Sequence, residues 1–230
     1  LVADGLSAPV LVLVATVSLA VVVYARRAGP RGNAFYTVYL LLAGGLAGVA
    51  LTGDIFNMYV FLEITGLAAY ALVASGDSTR SAVAGLKYLV VGTIGASLFL
   101  LGAGYAFVAT GTLNMVDLAE QFAAVGYDSR LVLAAFGLLV TGLLVKVALF
   151  PVHSWQPDAY TFAPDSVSVF ISALVSTVSA YAVARVVFTV FTVDFFAAVP
   201  IARTALVYAA AVSIIAGSVL AVTQSEIKRM

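Results

Sequence analysis

The chain has no cysteine and a single histidine among its 230 residues. Disulfides, cysteine-zinc sites and iron–sulfur ligation are therefore excluded. One histidine is too few for a histidine metal cluster or a bis-histidine haem, so neither a metal nor a cofactor is expected. Charge is scarce as well: 10% of residues are Asp, Glu, Lys or Arg, against about 25% in soluble domains. The 11 acids and 11 bases balance, which argues against a basic nucleic-acid binder or an acidic disordered tail.

What fills the chain instead is apolar. Hydrophobic residues make up 63% of it and the mean hydropathy is +1.12, so it cannot wet a globular surface. The composition predicts an all-α polytopic membrane protein. A bilayer core about 30 Å thick needs roughly 20 apolar residues per helix. Seven stretches qualify: 6–25, 34–52, 55–74, 84–109, 131–150, 167–193 and 204–222. Gly and Pro cluster between them, as in Gly29-Pro30-Arg31-Gly32. Residues 110–130 form the longest polar connection, with a short surface helix expected over Val116–Phe122. Leu1 is not an initiator, Asp4 before the first span argues against a signal peptide, and Ile227-Lys228-Arg229-Met230 follows directly on an apolar segment. A piece of a longer protein is the expectation.

Orientation follows from Lys and Arg near the span ends. Alternate loops put seven of them (Arg26, Arg27, Arg31, Arg80, Lys87, Lys228 and Arg229) on one side and two, Arg130 and Arg203, on the other. The chain is therefore expected to start outside and to end in the cytoplasm. Lys87 near a boundary reads as a snorkelling side chain, Arg185 as an anchor and Asp54 as an interfacial residue.

Two charges lie deep in spans. Glu63 sits mid-span in Phe61-Leu62-Glu63-Ile64-Thr65, and Lys146 lies far into the fifth stretch. A charge at a helix centre costs about 2.5–3.5 kcal/mol on insertion scales, so it faces protein or water and usually has a partner. At helical spacing Tyr59, Glu63, Gly66 and Tyr70 share a face, as do Gly142, Lys146, Phe150 and His153 if that helix continues. Phe150-Pro151 disfavours continuation, and Pro157 and Pro164 flank Trp155, Asp158 and Tyr160. The stretch reads as a broken helix lining protein or a hydrated cavity, with Lys146, His153 and Asp158 along one path. A Glu–Lys pair that merely fixes helix register is the bland alternative.

In the sixth stretch Asp165, Ser168, Ser172, Ser176 and Ser179 fall on one helical face with Thr177 beside it. Such hydroxyls hold a water chain or let helices approach closely; the sequence leaves both open. For the stripe Gly85, Gly92, Gly95 and Gly102, packing is the better reading.

Asp4-Gly5-Leu6-Ser7, the run GDIFNMYVFLEITGLAAYAL (53–72) and LLVKVALFPVHSWQPDAYTFAPDSVS (143–168) resemble the antiporter-like subunits of respiratory complex I, with the closest look to the D subunit of Mrp-type sodium/proton antiporters. That family has about fourteen helices, including two inverted five-helix repeats, each with one discontinuous helix. The resemblance implies that residues 1–33 are a peripheral helix and loop, 34–193 the first five-helix ion-translocating bundle, and 194–230 the start of the second repeat. It matches the family's buried glutamate to Glu63 and the lysine of its broken helix to Lys146. The next lysine of the family falls on Thr177, which interrupts the lysine relay, and Gln156 replaces a usual leucine.

The expected function is thus a proton-translocating membrane subunit, with sodium coupling as a variant, of an Mrp-type antiporter or an NADH-quinone oxidoreductase-like complex. Glu63 is its modulator, Lys146 its proton carrier, His153 a next station and Thr177 the weak link. Partners would be other membrane subunits, lipid, protons and sodium, in a prokaryotic cell membrane, with no nucleic acid. The alternative is a non-conducting structural anchor of a redox or hydrogenase complex, and an organic-solute transporter ranks last. No dinucleotide motif or cluster ligand suggests intrinsic redox chemistry.

Overall fold

A computed structural model describes residues 1–229, apart from the side chain of Ala28. Seven of its helical segments are long and apolar enough to cross a membrane. The first four elements are α1 (Ser7–Ala28), α2 (Asn33–Leu51), α3 (Ile55–Ala74) and α4 (Thr79–Thr110). An amphipathic helix, α5 (Met115–Val125), follows, burying Met115, Leu118 and Phe122 at the i, i+3, i+7 spacing of a one-sided stripe. It covers the short surface helix expected there and extends it at both ends. After it come α6 (Arg130–Val147) and the short α7 (Gln156–Phe162). The sixth span is composite: α8 (Asp165–Phe170), a π turn (Ile171–Val175), α9 (Ser176–Arg185), a second π turn (Val186–Phe191) and α10 (Thr192–Ala198). The last span is α11 (Pro200–Val222).

Polar residues in the short connections cap helices. The Asp54 carboxylate accepts the Asn57 N–H at 2.8 Å, and Asn114 accepts those of Val116 and Asp117. These satisfy first-turn donors that no helix can pair internally. The two connections also pair with each other, Ile55 N–H donating to Leu113 O and Met115 N–H to Gly53 O, both at 2.9 Å.

Small residues set the packing, as membrane helices without a hydrophobic drive between them require. A Cβ on Gly142 of α6 would lie 2.5 Å from the Gly95 carbonyl oxygen of α4, and one on Gly102 2.6 Å from the Leu139 nitrogen. The glycine stripe of α4 is a packing surface. At the other end of the bundle Phe122, Phe136, Phe191 and Phe195 cluster with ring centroids 4.8–5.2 Å apart, fastening α5 to the second π turn. In contrast, α11 stands at the margin, with Ala202 its buried residue.

Two expectations need correction. The fifth span stops at Val147 rather than Phe150, so Phe150 and His153 do not continue the Lys146 face. The serine column is also broken. The π turn at 171–175 shifts the register, and Ser168 and Ser179 are buried and Ser176 half-buried, while Ser172 and Thr177 are exposed.

Candidate functional site

Helix α6 ends one residue after Lys146. Ala148 adopts the left-handed conformation (φ 62°, ψ 44°), its N–H donates to Val145 O, and the Leu149 N–H reaches back to Leu144 O. This is a Schellman stop, and Pro151 just beyond it keeps the chain from resuming α6. The Trp155 indole N–H also donates to the Val145 carbonyl, at 3.1 Å, so that this oxygen accepts twice at the stop. Lys146 therefore occupies the last turn of a helix, where the backbone dipole favours a cation.

Its ammonium turns to α3. Lys146 Nζ lies 3.3 Å from Glu63 Oε1 and donates to the Tyr70 hydroxyl at 3.2 Å. The Lys146 side chain is 7% exposed and that of Glu63 23%, so the pair is buried from the lysine side and reachable from the glutamate side. Room for the ammonium comes from Gly66: a Cβ there would sit 3.2 Å from Lys146 Nζ and 2.7 Å from the Tyr70 hydroxyl. Gly92 on α4 backs the same hydroxyl. The Tyr70 ring meets Tyr88 edge-on at 4.5 Å, and Tyr88 stacks on Trp155 at 4.0 Å. Glu63, Gly66 and Tyr70 thus form the face that the spacing places together; Lys146 Nζ is hydrogen-bonded to Glu63 and Tyr70 and, among the described residues, not to Tyr59.

A second polar region lies in the helix break. A cleft of about 440 Å³ is lined by Lys87, His153, Gln156, Asp158, Tyr160 and Arg229, among others. Lys146 is not among the lining residues, so the single path expected through Lys146, His153 and Asp158 is two regions: the α3–α6 pair, and a cleft that holds the other two. Asp158 accepts from Lys87 Nζ at 2.8 Å and Arg229 Nη2 at 2.9 Å. Lys87 is an ion-pair partner rather than a free snorkelling side chain. Lys228 pairs with Asp165 beside it. His153 is half-buried, its ring 5.4 Å from that of Phe150, and its buried Nδ1 has no hydrogen-bond partner among the described residues.

Of the lining residues, Gln156 and Tyr160 are hydrogen-bonded to each other and to Ser176, which does not line the cleft. Thr177, by contrast, is exposed and its hydroxyl donates to the Ala173 carbonyl of its own helix at 2.9 Å. Ser172 is likewise exposed and bonded to Val169 O. Of Ser172, Ser176 and Thr177, only Ser176 is hydrogen-bonded to other side chains among the described residues.

Sequence reasoning missed one buried polar group. Arg185 forms a two-pronged pair with Asp4, at 2.6 and 2.8 Å, and also donates to the Tyr181 hydroxyl, which in turn donates to Ala50 O at 2.8 Å. Arg185 is 5% exposed and is no simple anchor. The Arg185 guanidinium, with the Ser7 and Leu6 N–H groups, holds the Asp4 carboxyl well below the usual carboxylate range. The i, i+4 spacing of Tyr181 and Arg185 was a visible signal; the partner 181 residues away was not.

No group of three or more potential metal ligands occurs among the described residues. The transmembrane family described as NADH:quinone oxidoreductase/Mrp antiporter matches residues 52–230. The N subunit of the NADH-quinone oxidoreductase of Desulforudis audaxviator is 45% identical across the whole chain, and the D subunit of the Na(+)/H(+) antiporter of Bacillus subtilis is 33% identical across the whole chain. The chain spans 46% of the length of each. A chain of the membrane-bound sulfane sulfur reductase, an archaeal respiratory membrane complex, superposes with a TM-score of 0.86 at 35% identity, over 95% of this chain and 44% of that one. The family match over residues 52–230 and a relative 45% identical across the whole chain agree: the protein is a member of the NADH:quinone oxidoreductase/Mrp antiporter transmembrane family.

Proposed function

We propose that this chain is the proton-translocating part of a membrane subunit in a multi-subunit respiratory or Mrp-type complex, coupled to sodium where that complex is an antiporter. The observation that carries the reading is the 3.3 Å contact between Glu63 and Lys146 inside the bundle. Burial disfavours the charged form of a lysine and a neighbouring carboxylate favours it. Glu63 close by keeps the ammonium protonated, and drawing the carboxylate away favours release of the proton. About 2.3 kcal/mol accompanies each charge moved across 100 mV, and a modest change in pair geometry supplies that. Glu63 is the modulator and Lys146 the carrier. His153 is the station at the cleft, its buried Nδ1 without a hydrogen-bond partner among the described residues being the supporting observation.

In this reading residues 34–193 form the translocating bundle, 1–33 a peripheral helix and loop, and 194–230 the start of a second repeat. The chain starts outside and its last loop faces the cytoplasm of a prokaryotic cell. Other membrane subunits cover the exposed apolar faces.

One observation favours the second reading, a non-conducting anchor: Thr177 stands where a lysine relay would continue and is turned outward with its hydroxyl satisfied by its own helix. The test is ion-driven pH change in vesicles holding the full-length parent with its partner subunits. Glu63→Gln and Lys146→Ala are each expected to abolish transport. Normal transport by both variants rejects the assigned roles and leaves the anchor.

A further inference from the structure

The cleft and the Glu63–Lys146 pair are separate, and a cluster of uncharged groups reaches from the cleft to the sixth span. The Gln156 amide nitrogen donates to the Tyr160 hydroxyl at 2.9 Å and to the Ser176 hydroxyl at 3.3 Å, and those two oxygens lie 2.8 Å apart. Gln156 and Tyr160 line the cleft, whereas Ser176 belongs to the sixth span and does not. The cluster therefore passes through the cleft wall. The backbone around it is fixed, since the Ser168 hydroxyl donates to Tyr160 O at 2.6 Å and to Ala163 O at 3.2 Å.

The hydrogen-bond count gives the cluster two states. A primary amide has two N–H donors, and here each occupies a lone pair on one hydroxyl. In the Tyr160–Ser176 contact either oxygen can be the donor. Whichever donates, the other keeps its own proton free to point outward. Reversing the contact moves the free proton from the cleft side to the span side without breaking the scaffold. Ser176 opens α9, which packs against α6, the helix that carries Lys146.

We infer that Gln156, Tyr160 and Ser176 form an uncharged proton link between the cleft at Asp158 and the interior that holds Lys146. The inference rests on the translocation reading above and names the side-chain route on its cleft side. A proton arriving on one hydroxyl oxygen forms a new O–H bond there. The proton already bridging to the other oxygen transfers fully, and that oxygen gives up its own proton to water beyond. Rotation of both hydroxyls then restores the starting state, with no net change in charge or redox state. Gln156 is a positioning residue, holding both oxygens at contact distance.

The experiment uses the full-length parent with its partner subunits in proteoliposomes, an imposed ion gradient and an internal pH dye. Tyr160→Phe and Ser176→Ala are each expected to slow transport about ten-fold, less than outright loss of a proton-transfer group because water partly bridges the gap. Ser176→Thr, which is larger but keeps the hydroxyl, is expected to return to within about two-fold of the parent. A purely packing role predicts the opposite order, with the near-isosteric alanine tolerated and threonine not. The link is overturned if Ser176→Ala runs at the parental rate, or if Ser176→Thr is as slow as Ser176→Ala. If Tyr160→Phe does not assemble, the Ser176 pair decides alone. Loss of transport in Glu63→Gln and Lys146→Ala, with normal rates in Ser176→Ala, rejects the link and keeps the translocation reading. Normal rates in all of them reject both.

Discussion

Lys146 shows how much of a membrane site is space rather than contact. Its ammonium has two polar neighbours, Glu63 and Tyr70, and the Tyr70 hydroxyl fits because Gly66 and Gly92 carry no side chain on either side of it. A Cβ on Gly92 would overlap that hydroxyl, and the ring behind it is held by Tyr88. Overpacking a filled core costs about 1–3 kcal/mol. Gly92→Ala is accordingly expected to lower thermal stability in detergent by that amount and to weaken transport, while Gly44→Ala, inside α2 and in open space, should leave transport unchanged and raise stability by up to about 1 kcal/mol. Asp4 and Arg185 make a different kind of prediction, one of pH. Asp4 titrates lower in the folded chain than its unfolded value near 3.9. A lowered acid pKa contributes stability that is present above the unfolded value and is lost as pH falls toward the folded one. Unfolding midpoints measured from pH 7 downward should hold steady to about pH 4 and then drop. Asp4→Asn should start lower at neutral pH and show less of that acid drop; an identical acid limb in both proteins refutes the assignment.

At the scale of elements, the stop that places Lys146 depends on one alanine. Ala148 takes a left-handed conformation that glycine adopts freely and that costs an L-residue roughly 1 kcal/mol. Ala148→Gly should therefore stabilise the chain by up to about 1 kcal/mol, and Ala148→Val, branched at Cβ, should destabilise it by about 1–3 kcal/mol, both read as unfolding midpoints in detergent. The position of this stop marks the boundary of what the sequence disclosed. That a break follows Lys146 was legible, because Pro151 forbids a helix across residue 150. That it falls at Ala148 was not, since alanine carries no left-handed preference. Seven spans were legible because each needs about 20 apolar residues in a row. The π turns at 171–175 and 186–191 were not, because an i→i+5 turn leaves the composition unchanged. An α-helical wheel therefore drew Ser172 into a column that the real register turns outward. The Glu63–Lys146 contact was legible from the cost of two charges in lipid, whereas Asp4–Arg185 was not, since Asp4 lies outside the spans and carries no such cost.

For the whole molecule, loop residues that alternate crossing assigns to one side do meet. Gly53 pairs with Met115 on one face, and Lys87 and Arg229 share Asp158 on the other. The latter face also carries Arg26, Arg27, Arg31 and Arg80, while the former has Arg130 and Arg203. Acidic residues mix into the basic face, where Asp158 and Asp165 each take a basic partner, yet orientation responds to Lys and Arg near the span ends and little to acids. The basic face should therefore be cytoplasmic. A chain without cysteine makes this directly measurable, because a single introduced thiol is the only one it contains. Asp77, exposed between α3 and α4, and Ala124, exposed on α5, lie on opposite faces with one span between them. In the full-length parent with any native thiols removed, a membrane-impermeant maleimide should label Ala124→Cys in intact spheroplasts and Asp77→Cys only in inverted vesicles. The reverse pattern would put the Asp158 cleft outside. Labelling of both from one side would break the count of spans between them, since an odd number of crossings must separate two faces.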